Sequence, residues 1–155
     1  MDSRPEEVSK LLVAFLDEGD IDGLLSLYEE DAVFADFEGV ATGLAAIRAA
    51  HQAFLDSGLT LTLTDFVSFE ADDLALVHWS WTVGHSDGTS TEGTSAEVLR
   101  RQPDGSWKFI IDNSDGSALV GVLYQTSRNW YRSHAQDLRP EVRDGHGKHQ
   151  PELRH

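Results

Sequence analysis

The chain has no cysteine. That excludes disulfides and thiolate metal sites, so its stability has to come from packing. It also lacks any apolar run near the roughly 20 residues a membrane helix needs. Its opening, MDSRPEEVSK, is polar and acidic, unlike a secretory signal, and the expected location is cytoplasmic. Positive charge is scarce: 12 Lys+Arg stand against 27 Asp+Glu, a net charge of −15. The scarcity is uneven. Residues 1–119 carry 6 basic against 23 acidic groups, a charge of −17, and residues 120–155 carry 6 against 4, a charge of +2. An acidic body repels phosphate backbones, so nucleic acid is not an expected partner, and no membrane is either. The basic end can fold back on the body, reach a partner subunit or stay solvated. There is no phosphate loop, nucleotide fingerprint or Gly-x-Ser-x-Gly elbow, and no internal repeat.

What is present reads as one ordinary soluble domain. The chain has 155 residues, 40% hydrophobic and 25% charged, enough for a real core. Ser3, Pro5 and Glu6 read as a helix start with a capping box. Val8, Leu11, Leu12, Phe15 and Leu16 follow on one helical face, and Gly19 ends the helix. Asp20 can cap a second, short helix with the stripe Ile21, Leu24, Leu25 and Tyr28. Glu29-Glu30-Asp31 closes it, because acids are unfavourable at a helix C-terminus. A short strand is expected from Ala32 to Phe37, then a loop marked by Gly39 and Gly43, then a third helix from Leu44 to Ser57, stopped by Gly58.

From Leu59 the period changes from 3.6 to 2. Strands are expected from Leu59 to Phe69, Leu74 to His85, Thr91 to Gln102 and Trp107 to Ser114, joined by short turns as an antiparallel meander. Leu119, Val122, Leu123, Thr126 and Trp130 predict a C-terminal helix. The expected organisation is therefore a single domain over residues 1–133 and a flexible tail over residues 134–155.

Three stretches carry a resemblance. They are Gly19-Asp20-Ile21-Asp22-Gly23-Leu24, then Leu27-Tyr28-Glu29-Glu30-Asp31-Ala32, then Gly43-Leu44-Ala45-Ala46-Ile47-Arg48. With the RRQPDGSWKFIIDNS ending, the region Val8 to Ser114 resembles the nuclear transport factor 2-like superfamily. This is also called the ketosteroid-isomerase-like or SnoaL-like cone fold, here a small stand-alone bacterial type. The resemblance implies an α+β fold: a curved, mostly antiparallel sheet wrapped around N-terminal helices, forming a cone with an apolar pocket. It implies a small hydrophobic ligand, homodimers through the convex sheet face, and cofactor-free acid/base chemistry of isomerase, cyclase or dehydratase type on a polyketide-like carbonyl compound. A non-catalytic ligand-binding or dimerisation module of the same fold is the alternative.

Candidate residues follow from the same resemblance. Asp36, between Phe34 and Phe37, matches the family's general base; a turn aspartate bonding the backbone near Gly39 is the other reading. Glu97 matches the strand acid of the oxyanion hole; an exposed strand glutamate paired with Arg101 or Arg48 is the other reading. The tyrosine donor position falls on Leu12, which argues against true steroid isomerisation. The expected pocket lining is Leu12, Phe15, Phe34, His51, Phe54, His78, Trp81 and Asn113, with Asp112 facing the other way. His51, His78 and Asp36 lie far apart in the chain with no local ligand motif, so neither a metal nor another cofactor is expected.

Overall fold

The computed structural model describes residues 3–118 and 120. The expected C-terminal helix and tail lie outside these, Val120 apart. The elements run α1 (Glu6–Glu18), α2 (Ile21–Leu25), β1 (Tyr28–Asp36), β2 (Gly39–Thr42), α3 (Leu44–Asp56), β3 (Thr60–Ala71), β4 (Leu74–Gly84), β5 (Ser90–Thr94), β6 (Ala96–Arg101) and β7 (Trp107–Asn113). A 3-10 turn, Gly116–Ala118, follows.

Helix ends obey local chemistry. Gly19 takes φ 69° and its backbone N–H closes α1 on Leu16. Asp20 then caps α2, accepting from the Gly23 amide at 2.9 Å. The expected Ser3 cap is absent: Pro5 holds the N-cap position, and the Ser3 hydroxyl donates instead to the Gly105 carbonyl at 3.0 Å. α2 is one short turn, so Tyr28 opens β1 rather than ending a helix. The Phe109 amide donates to the Leu27 carbonyl at 2.8 Å, and Tyr28 sits opposite Phe109. Pairing with β7 therefore overrides the helical stripe and lengthens the expected strand.

The sheet order is β2-β1-β7-β6-β4-β3, with β5 also on β4. Among the described residues only β1 and β7 pair in parallel. The expected Gly39–Gly43 loop is itself a hairpin strand, β2 on β1. The expected strand over 91–102 is two, interrupted at Ser95, whose hydroxyl takes the Trp79 amide at 3.1 Å. Register shifts in β1–β7, in β3–β4 between Leu63 and Phe66, and in β6–β7 add the bends that curve the sheet.

α1 packs on β3, and α3 on β1 and β2. The core between helices and sheet includes Leu24, Ile47, Val77, Leu99, Phe109 and Tyr28, essentially without solvent contact. Each such side chain contributes about 1.5–3 kcal/mol through burial. No helix among the described residues is long and apolar enough to cross a membrane.

Candidate active site

A cavity of about 270 Å³ opens beyond this core, between α1, α3 and the inner face of the sheet. Most of its wall is apolar: Leu12 and Leu16 from α1, Phe34 from β1, Ala50 and Phe54 from α3, Leu61 and Leu63 from β3, Trp81 from β4. Into this wall come Glu97 from β6 and Asp112 from β7, both buried. They are direct partners in the antiparallel register. Opposed residues on one face of such a pair have Cβ atoms about 4.5–5.5 Å apart, close enough for two carboxyls to feel one another.

Each carboxyl has its own donors. The Ser9 hydroxyl donates to Glu97 Oε2 at 2.6 Å, and the Ser95 hydroxyl to Glu97 Oε1 at 3.1 Å. The Tyr28 hydroxyl donates to Asp112 Oδ2 at 2.5 Å. His51 Nε2 lies 3.0 Å from the same tyrosine oxygen. The tyrosine has one proton and gives it to Asp112, so His51 must supply an Nε2–H, leaving its Nδ1 bare. The result is a chain from imidazole through phenol to carboxylate.

Burial sets the charge states. It pushes the Glu97 carboxyl up to about 8, with the Asp112 charge adding to the effect. Burial raises Asp112 to about 6, against the Tyr28 hydrogen bond, with the Asp36 charge also raising it. His51 is lowered to about 4 by burial alone, so it is neutral. Burial, then the Asp112 charge, lifts Tyr28 well above its ordinary range. Near neutral pH the pair of carboxyls holds one proton.

Asp36 is placed differently. It lines the cavity at the end of β1, half-buried, but its Oδ1 accepts from the amides of Glu38 (2.8 Å) and Gly39 (3.1 Å). It is thus a turn aspartate that also borders the cavity. Asp115, buried beside it, accepts from the Phe37 amide at 2.9 Å and is raised by burial.

Of the expected pocket residues, Leu12, Phe34, His51, Phe54 and Trp81 line the cavity together with Asp36 and Glu97. Trp81 is locked: its indole N–H donates to the Ser114 carbonyl at 2.6 Å. Its ring lies over Gly93, where an added Cβ would sit 2.3 Å from Cζ2. Three expected residues do not line it. Phe15 packs on α2, its ring 2.5 Å from where a Cβ on Gly23 would stand. His78 is on the other face of β4, with Nδ1 2.9 Å from the Ser95 carbonyl oxygen. Asn113 also faces away, and its amide donates to the Gly116 carbonyl at 3.1 Å.

Asp112 takes the place expected for Asn113 because of a bulge. Leu99 pairs with Phe109 but Val98 with Ile111, so β7 carries one extra residue between them. One extra residue reverses every later side chain, turning Asp112 inward and Ile111 out. Tyr28, Ser9 and Ser95 were also missed. Ser9 had a signal, since it shares the helical face of Leu12 and Leu16.

The family model of the SnoaL-like domain matches residues 10–110, and the chain belongs to that family. It shares its fold with a cystatin-like protein of unknown function from Nostoc punctiforme: TM-score 0.63, 20% identity, covering 70% of this chain and 84% of the other. A protein of Shewanella frigidimarina provisionally named a ketosteroid isomerase gives TM-score 0.61 and 20% identity over 72% of this chain and 94% of that one. One from Novosphingobium aromaticivorans provisionally named a scytalone dehydratase gives TM-score 0.60 and 19% identity over 70% and 78%. No curated protein matches the sequence significantly.

Proposed function

We propose that this protein binds a small hydrophobic carbonyl compound in the cavity and moves a proton on it by cofactor-free acid/base catalysis, an isomerase, cyclase or dehydratase type of reaction. The observation that carries this is the Glu97–Asp112 pair, opposed in register and buried in an apolar cavity. Carboxyls with raised pKa values are suited to taking and returning protons near neutral pH. Asp112, held by Tyr28, is the base when ionised; Glu97, which keeps its proton longer, is the acid. Asp36 is a second candidate base at the end of β1. Deuterium exchange α to the carbonyl of small cyclic ketones, followed by NMR in D₂O, tests this. Glu97→Gln and Asp112→Asn are each expected to lower the exchange rate at least about a hundredfold while the fold holds. Unchanged exchange in both, with Asp36→Asn inactive, would move the chemistry to Asp36.

A second reading, dimerisation through the convex sheet face, is favoured by one specific row. Phe69, Leu76, Val98, Ile111 and Val33 are successive cross-strand partners across β3, β4, β6, β7 and β1. Phe69 is 59% exposed, Ile111 44% and Leu76 39%. An apolar row of this length on a sheet face fits a second copy of the chain. Ile111→Lys is expected to shift a dimer to monomer in sedimentation velocity; a monomeric wild type would end this reading.

A further inference from the structure

Gly93 lies in β5 with no positive φ, a backbone that any residue adopts, yet glycine weakens a strand. A glycine at such a place marks the close approach of another group. Here that group is the indole of Trp81, its direct cross-strand partner on β4. A Cβ on Gly93 would lie 2.3 Å from Cζ2 and 2.8 Å from both Cε2 and Cη2. Gly93 itself does not border the cavity, whereas Trp81 does. The indole is held at a second point, where its N–H donates to the Ser114 carbonyl at 2.6 Å. Ser114 is fixed in turn, its amide and hydroxyl both donating to the Ala35 carbonyl at 2.9 and 3.1 Å. The ring thus occupies the room that the missing Cβ leaves and gives the cavity one of its walls.

We infer that Gly93 is a specificity-determining position: by letting the Trp81 indole seat against β5, it sets how large a ligand the cavity takes. Non-bonded carbon atoms pack at about 3.5–4.0 Å, so even a methyl group at position 93 drives the benzo ring off its seat by about 1 Å or more. A close-packed interior transmits such a displacement, and the open space beside the ring is the cavity. The cavity measures about 270 Å³. An apolar cavity of about 150 Å³ holds one benzene, so this one has room for two fused rings, and a displaced indole takes away the room for the second. The inference rests on the reading of this cavity as the ligand site and adds a size limit to it. Gly93 acts through Trp81 and is a positioning residue.

Two ketone probes read the limit on the full chain at pH 7: cyclohexanone with one ring and 1-tetralone with two, titrated by NMR shift. The wild type is expected to bind 1-tetralone more tightly, because it buries more apolar surface. Gly93→Ala should weaken 1-tetralone at least about tenfold and cyclohexanone less than about threefold. It should also move the Trp81 indole N–H signal in the ¹⁵N spectrum, assigned by its loss in Trp81→Phe. Adding Trp81→Phe to Gly93→Ala removes the benzo ring that meets the new methyl and should restore 1-tetralone binding, a rescue that general damage to the fold would not show. Should Gly93→Ala alone fold poorly, Trp81→Phe is the companion variant, expected to raise the preference for 1-tetralone above the wild-type ratio. A wild-type ratio of affinities in Gly93→Ala, or in Trp81→Phe, would overturn the inference and leave the cavity as a ligand site. So would a double variant as weak for 1-tetralone as Gly93→Ala. Binding of neither ketone by the wild type would overturn both.

Discussion

The two faces of β6 and β7 invert the ordinary rule for a sheet. The face turned to the helices carries Glu97 and Asp112; the face turned to solvent carries Val98 and Ile111. Soluble sheets with one wet face put apolar residues in and polar ones out. Neither inversion helps this fold. Burying two facing acids costs free energy even with good partners, and an exposed apolar row gains nothing in a lone chain. Departures from folding logic are expected at functional positions, and these two are the features on which the proposed proton-handling cavity and the proposed dimer face rest. The inner inversion is also local: two residues along β6 from Glu97, on the same face, Leu99 is fully buried in ordinary apolar packing.

The sharpest way to break this contrast is to move an acid by that one step. Leu99→Glu puts a carboxyl on the inner face, where its cross-strand partners are Ala75 and Phe109. The expected cost is about 4 kcal/mol or more, a large share of a typical domain's stability. Circular dichroism should show no cooperative melt. A stably folded Leu99→Glu protein would mean that this face tolerates acids generally, and the positions of Glu97 and Asp112 would lose their significance.

The next effect is smaller and depends on pH. The folded protein holds the Glu97 proton up to about pH 8, whereas the unfolded chain releases it near the ordinary value of 4.5. Between those values the folded state binds more protons, so stability falls as pH rises. Asp112 acts in the same sense up to about pH 6. His51, lowered to about 4, acts in the opposite sense between 4 and its ordinary 6.5, where the unfolded state takes up the proton. Above 6.5, of these three groups, Glu97 alone still titrates. Between pH 6.5 and 8 it should cost about 1.4 kcal/mol per pH unit, the linkage slope for one proton. Urea unfolding of wild type and Glu97→Gln across that range reads the difference. Equal slopes in the two proteins would show that Glu97 titrates normally.

The elements that the sequence made legible are those fixed by local chemistry. Gly19, Asp20 and Gly58 mark helix ends as turn and cap residues do anywhere, and the strand from Leu74 was legible from its period of two. The family resemblance carried the architecture. What stayed hidden depended on pairing. Tyr28 reads as the last residue of a helical stripe and becomes the first of a strand only because β7 lies beside it. Asp112 reads as outward from Trp107 and Phe109, and one extra residue in β7 reverses it. The Asp112–Tyr28–His51 chain joins β7, β1 and α3, and no local spacing announces a contact over 84 residues. Asp36 was conspicuous for the opposite reason: an acid between two phenylalanines stands out locally, though its nearest hydrogen bonds serve a turn.

That leaves Asp36 as the position with the smallest expected effect on stability. Asparagine makes the same side-chain turn to the amides of residues 38 and 39, so Asp36→Asn should change stability by less than about 0.5 kcal/mol. Its electrostatic effect should still be visible. The Asp36 charge helps hold both Asp112 and Asp115 up, so removing it should lower the Asp112 titration, followed by carboxyl ¹³C shifts. Asp36 then acts on the buried pair through its field, and a loss of turnover should be modest and track that shift. A hundredfold loss with Asp112 titrating as before would mean that Asp36 itself takes the proton. The inner acids would then be the structural feature and the turn aspartate the reactive one.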